Sequence, residues 1–532
     1  MSNRRTLRLT SSLAALALLL GSCALAPPPD DTQQASPGRP TVVTGALPGD
    51  SLRLFSVAYA QIVDKYVEPV QLTRLVGTGL GNLQKIDPGF VVARVGDKFE
   101  ARNAGTLVED LDAPRNNDAR RWAELTVATI NSGRSASAQL RQATPDSIYR
   151  TVFDGATQSL DVYSRYYDPE SAADARAERE GFGGIGVALE PVEGAEPRVA
   201  LVYPDTPASR AGFMVDDRIL QVEGVSTTGV QLRDVVRRLR GPVGRSVSLK
   251  VRKVGESEGR EVSLARALIV PPSIAYRREG NAAYIKLSAF NQATTENLND
   301  ALKRAMKEIG PRFEGVILDL RGNLGGLLDQ AISVSEVFLP EGPIVSTRGR
   351  YQASVQMSES HGGGVAARIP VVVLINGQSA SASEIVAAAL QDNGRAVLIG
   401  STSYGKGSVQ SVIQLPNDGE LRLTWAKFYA PSGYPLQDLG VIPTICTSGR
   451  SDGAPAILSG ARDGQMISAT TLTAWRTADH TKQDRLTQLR QICPPDTKEN
   501  VVDLDVARSV LADRALYARA VRIPSQSNQA AR

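Results

Sequence analysis

The chain predicts a multidomain α/β protein: a helical N-terminal region, a β-rich domain with helices, and a layered α/β core with a mainly parallel sheet. Three observations carry this. Apolar residues recur at helical spacing between 51 and 70, and short β-like runs broken by glycines fill 181–268. From 281 onward strands and helices alternate, and strands such as GVILDL and PVVVLIN are apolar on consecutive residues, as strands buried on both faces are. A chain of 532 residues with 42% hydrophobic content has room for about three such cores.

Residues 1–23 read as an export signal. Arg4, Arg5 and Arg8 precede an apolar run ending in LALLL, which is too short to span a bilayer comfortably. Residues 24–50, rich in Pro and small polar residues, read as a disordered tether. In 51–177, Leu54, Val57, Ile62 and Val63 mark one face of a helix that stops at Glu68-Pro69. LTRLVGTGLGNLQKID and SIYRTVFDGATQSLDVYSRYY continue the helical pattern, with an insertion near 88–145 between them. In 181–268 the runs IGVAL, RVALV, DRILQVEG, SVSLKVRK and EVSLARA read as strands, with one helical run, QLRDVVRRLRG. The layered core is 269–445, and 446–532 is a C-terminal extension with helical segments and no motif.

Composition excludes several classes. A net charge of +4 without a basic run gives nucleic acid no footprint. His361 and His480 are the only histidines, so a Ser-His-Asp triad lacks material. GFGGIG at 181–186 has the glycines of a dinucleotide loop but is preceded by ADARAERE rather than a strand. HGGG at 361–364 lacks a GxSxG partner, and the P-loop-like 400–406 is followed by Gly407 where Ser or Thr is needed. No metal, nucleotide or other cofactor is implied.

The segment IPVVVLINGQSASASEIVAAALQDNG reads as strand, turn and helix. Ser381 with Glu384 three residues later fits a capping box, and the same geometry favours negative charge beside the serine oxygen through unpaired N–H groups and the helix dipole. Ser379 and Ser383 are rivals that spacing does not dismiss. Downstream, Lys406 sits in a Gly-flanked loop and is a candidate base. A free lysine is well under about 1% neutral at pH 7, so such a base needs a desolvated pocket. Tyr404, Val409 and Val412 are the expected walls, with Glu384 bonded to donors other than the lysine amine.

DLRGN-x-GG, SASASE and GKGSVQ, in this order and spacing, closely resemble the C-terminal processing peptidases, or tail-specific proteases. The interval 406 − 381 = 25 is the family's usual serine-to-lysine separation and selects Ser381. The resemblance implies Ser381 as nucleophile, Lys406 as general base, Gln410 as the residue holding the lysine, and Glu384 and Ser403 as supports. It also implies oxyanion donors at Ala382 and at Gly325 or Gly326, beside Leu324 where the family often has proline. For Gln410 to reach the lysine, the chain should turn tightly over 405–410.

Residues 181–268 resemble a PDZ domain of the bacterial protease type, in which Phe182, Gly183, Gly184, Ile185 and Gly186 would offer N–H groups to a peptide's terminal carboxylate. Leu20-Gly21-Ser22-Cys23 resembles a lipobox, implying lipidation of Cys23, a membrane partner through that lipid, and residence on the periplasmic side of the cell envelope, at the outer membrane in a Gram-negative cell. Export permits Cys446 and Cys493 to pair, closing 47 positions and stabilising by roughly 4 kcal/mol. The expected activity is endoproteolysis of proteins with free C-terminal tails, with any adaptor protein unspecified. A silent peptide-binding scaffold and an esterase are the alternatives.

Overall fold

The computed structural model describes residues 45–524. The segment read as an export signal, Cys23 and nearly all of the segment read as a tether lie outside the described residues.

Helices Ser51–Lys65, Leu72–Gly81, Ala119–Ala136 and Pro145–Gln158 build the N-terminal region. Phe55, Tyr59, Trp122 and Phe153 are fully buried in its core. The insertion holds a three-stranded antiparallel sheet, Phe90–Val95, Lys98–Asn103 and Thr106–Asp112, ahead of the third of these helices. The same core takes in Leu415, Leu421 and Leu423 from far downstream, so this region packs directly on the antiparallel hairpin that contains those residues.

The β-rich domain is an antiparallel sheet ordered Gly259–Ala265, Ser246–Arg252, Arg218–Val222, Arg198–Val202, Val187–Glu190. Its core is formed by Ile185, Val199, Ile219, Val235 and Leu249, with helix Leu232–Leu239 laid across it. Val187–Glu190 is an edge strand, its outer backbone groups free of a neighbouring strand.

The large core has a six-stranded sheet ordered Ile274–Glu279, Ala282–Leu287, Gly315–Asp319, Val371–Ile375, Ala396–Gly400, Ile445–Cys446. All neighbours are parallel except the first pair. Val316, Leu318, Val371 and Val373 face one hydrophobic cluster, and Ile317, Val372 and Leu374 the other. Burial on both faces is why these strands are apolar without alternation. Val506, Val510, Leu511 and Leu516 of the C-terminal extension cover the second face, so the extension is a layer of the core. Cys446 and Cys493 are bonded, with Cα atoms 5.9 Å apart.

A second, antiparallel sheet is ordered Gln356–Ser360, Gly342–Arg348, Glu420–Tyr429, Ser408–Gln414, and Arg165–Tyr167 pairs with Glu420–Tyr429. The loop bearing Lys406 therefore carries the chain from the parallel sheet into this one.

Candidate active site

The site lies at the C-terminal ends of the parallel strands, where a layered α/β sheet opens a crevice. After Val371–Ile375 the chain turns at once: Ser379 N–H donates to Asn376 O at 2.8 Å and Asn376 N–H to Ser379 Oγ at 3.0 Å. Ser381 follows with φ 57° and ψ −113°, a strained backbone for a non-glycine residue, and helix Ala382–Asp392 begins behind it.

The three serines of this turn differ. Ser379 and Ser383 are fully buried, and their hydroxyls donate to Leu320 O and Asn323 O, each at 2.9 Å. Ser381 is half-buried and stands at the helix mouth. The two rivals tie the turn to the 320–323 loop, and the serine between them is the one that a reacting group could approach.

Glu384 organises the surroundings. It is fully buried, and its two oxygens accept four hydrogen bonds, from Ser381 N–H (2.8 Å), Lys406 N–H (2.9 Å), Gly405 N–H (2.7 Å) and Ser403 Oγ (2.5 Å). Ser403 Oγ in turn accepts from Val441 N–H at 2.8 Å. The carboxylate thus joins the serine turn to the lysine loop through backbone donors, as the sequence led us to expect. Burial nevertheless pushes Glu384 above the usual carboxylate range, against those four donors.

Lys406 Nζ makes no hydrogen bond or ion pair among the described residues. Burial lowers its pKa below the ordinary lysine value, and the Arg422 and Arg165 charges lower it further, while Glu384 and Asp161 oppose. The wall of its pocket is not the expected one. Tyr404 and Val412 are 51% and 45% exposed, and only Val409 is buried. The face over the amine is instead the ring of Tyr163, whose centroid lies 5.1 Å from Nζ. That ring comes from the N-terminal region, more than two hundred positions away in sequence, and no local signal marked it.

The turn expected over 405–410 is corrected. Gly405 has φ 92°, but strand Ser408–Gln414 has already begun by residue 408, with an irregularity between Val409 and Gln410. Pairing with Glu420–Tyr429 straightens the chain there. Gln410 Nε2 donates to Ser408 Oγ (2.9 Å) and Thr424 Oγ1 (3.3 Å), and no described bond joins it to Lys406.

The glycine loop after Gly315–Asp319 abuts the serine. A Cβ placed on Gly325 would lie 2.9 Å from Ser381 Cβ and 3.0 Å from Ala382 N, and one on Gly326 would strike Phe290 O. Gly325 N–H donates to Asn323 Oδ1 at 2.8 Å, whereas the N–H groups of Gly326 and Ala382 have no acceptor among the described residues. Leu324 beside them is 70% exposed, so its departure from proline leaves the loop's backbone in place.

In the β-rich domain, Phe182–Gly184 is a short strand paired with Ala267–Ile269 rather than an open loop. Gly183 is turned inward, since a Cβ there would sit 2.0 Å from Gly241 O, and it does not line the groove. Phe182, Gly184, Ile185 and Gly186 do line it, in a cavity of about 230 Å³ between edge strand Val187–Glu190 and helix Leu232–Leu239. Arg240, unmarked by sequence, also lines the cavity, stacked 4.3 Å from the Phe182 ring centroid and paired with Asp174 at 2.7 Å. Its Nε is buried without an acceptor among the described residues.

The model of Peptidase family S41 matches residues 281–447, and a PDZ domain model matches 198–253. A carboxy-terminal-processing protease of Bartonella bacilliformis is 42% identical over 300 residues, which is 56% of this chain and 69% of that protein. A carboxyl-terminal-processing protease of Synechocystis sp. is 35% identical over 302 residues, 55% of this chain and 69% of that protein. Among solved structures, a photosystem II D1 C-terminal processing protease is 22% identical with a TM-score of 0.37, covering 74% of this chain and 92% of that one.

Proposed function

The chain belongs to peptidase family S41 as a C-terminal processing protease with a PDZ domain, and from that premise we propose a Ser-Lys acyl-enzyme mechanism carried by Ser381 and Lys406. The observation behind it is the accessible Ser381, tied through Glu384 to the loop of a desolvated lysine. The neutral Lys406 amine takes the hydroxyl proton as Ser381 Oγ attacks the scissile carbonyl. The Ala382 N–H and a donor from the 325–326 loop receive the developing oxyanion. As the tetrahedral adduct collapses, the lysine ammonium returns the proton to the departing amine. Water, deprotonated by the same lysine, then releases the acyl group and regenerates Ser381. Ser403 acts indirectly by holding Glu384.

Substrates are proteins with a free C-terminal tail. The tail adds as a strand along Val187–Glu190, its carboxylate at the 184–186 backbone beside Arg240. The lipobox-like segment ending in Cys23 supports a lipid-anchored enzyme on the periplasmic side of the envelope as part of this reading. The deciding experiment compares wild type with Ser381→Ala on a tailed protein, on casein and on short acyl esters. Loss of peptide cleavage in the variant alone supports the reading; no wild-type cleavage indicates a scaffold, and ester hydrolysis far exceeding peptide hydrolysis an esterase.

A further inference from the structure

The segment 490–497, beyond the span matched by the family model, touches both loops of the proposed dyad. On the lysine side, Arg490 donates to Ser403 O at 3.0 Å and to Leu439 O at 2.6 Å. Thr402 Oγ1 donates to Cys493 O at 2.5 Å, and Asp496 N–H to Ser401 Oγ at 3.0 Å. On the serine side, Gly377 N–H donates to Asp496 O at 2.7 Å, and Asn376 Nδ2 to Thr497 O at 3.3 Å. Cys493, fully buried, is bonded to Cys446 on the edge strand of the parallel sheet, beside Gly400, where the lysine loop departs.

We propose that this segment is a clamp that fixes the Ser381 turn and the Lys406 loop relative to one another, with Arg490 as a positioning residue and the Cys446–Cys493 bond as the anchor. The physical need is plain. Residues 401–406 form a loop without a helix or strand of their own, and a base must be held to fractions of an ångström to act. Glu384 ties the loop from the inside, and the clamp ties it from the outside. The charges facing Arg490 are Glu384 and Asp438. Those facing Lys406 are Glu384, Asp161, Arg165 and Arg422, with Tyr163 over the amine. Loosening the clamp admits water to the lysine, which raises its pKa.

The inference rests on Lys406 being the base, so its test has a second, non-catalytic readout. In the full chain, Arg490→Ala should lower kcat about 10- to 100-fold with KM little changed, and the acid limb of the kcat profile should move to higher pH. Amide hydrogen exchange at 400–406 should accelerate while that of helix Thr294–Ile309 does not. Arg490→Lys, which keeps the charge but not both bonds, should show smaller changes of the same sign and serves if the alanine variant fails to fold. The Cys446→Ser/Cys493→Ser double variant should behave like Arg490→Ala. Unchanged exchange at 400–406 in a folded Arg490 variant overturns the clamp whatever the activity shows. Faster exchange with an unmoved acid limb and an unchanged kcat overturns Arg490 as a positioning residue. Persistent cleavage by a Lys406→Met variant would instead count against the dyad.

Discussion

Glu384 Oε2 accepts the backbone N–H of Lys406 at 2.9 Å, so the carboxylate that holds the lysine loop is also the negative charge most opposed to a neutral lysine amine. The structure eases this conflict by burying that carboxylate, which pushes its own pKa upward against the pull of its four donors. An amide cannot replace it. Glu384→Gln would turn an NH2 group toward donors that need an acceptor, leaving two of them unsatisfied. We expect a loss of about 3 kcal/mol in denaturant unfolding and at least a hundredfold fall in kcat, about the cost of a misplaced base.

The serines of the turn separate by stability as well as activity. Ser381→Ala should abolish cleavage with folding intact, and Ser381→Gly should abolish it while stabilising by about 1 kcal/mol, because glycine relieves the φ of 57°. Ser379→Ala removes bonds to Asn376 and Leu320 and should cost about 1–2 kcal/mol with substantial activity retained. Thermal unfolding and cleavage rates of the three variants decide it. A Ser379→Ala variant as inactive as Ser381→Ala, yet equally stable, would contradict the assignment.

Much of this was legible in the sequence because the signals were local. Apolar runs such as VVVLI at 371–375 mark buried strands, and a serine three residues ahead of Glu384 marks a helix start. What could not be read depends on distant packing. Tyr163 reaches Lys406 because Arg165–Tyr167 pairs with Glu420–Tyr429, a register that no short window encodes. The path of Gln410 differs from the expected turn because that turn followed from the lysine-holding role carried over to Gln410, whereas pairing with Glu420–Tyr429 straightens 408–414. Gly183 looked like an open anion loop, but its pairing with Leu268 turns it inward. The C-terminal extension showed helices without showing that Val506 and Val510 cover the sheet.

The groove of the PDZ domain yields a test with small peptides. If the tail adds to Val187–Glu190 with its carboxylate beside Arg240, amidating that carboxylate should weaken binding about 10- to 100-fold, the value of one or two charge-assisted bonds. A proline within the pairing stretch should weaken it too, since it lacks the ladder N–H. Arg240→Gln should shrink the difference between free-acid and amidated tails. Calorimetry with the full chain measures all three, and equal affinity for the two tails in wild type would reject carboxylate recognition.

The lysine pocket makes the pH prediction. A general base works when deprotonated, so kcat should rise with pH through the lowered pKa of Lys406 and level off above it. Tyr163→Ala opens the amine to water, weakens the burial that depresses its pKa, and should shift that limb to higher pH; Tyr163→Phe keeps the ring and should not. Stability should rise with pH as well, over a range that extends to the unfolded value. Because the folded pKa is depressed, the unfolded chain binds more protons than the native one between the folded pKa and the ordinary value of about 10.4. The wild-type protein therefore carries a penalty below the folded pKa that disappears as pH rises toward that ordinary value. Lys406→Met, similar in shape and without charge, should melt higher than wild type at pH 6, and the advantage should fade by pH 10. Parallel melting curves of wild type and variant across that range measure it, and an advantage that stays constant with pH would mean that Lys406 is not held in a desolvated state.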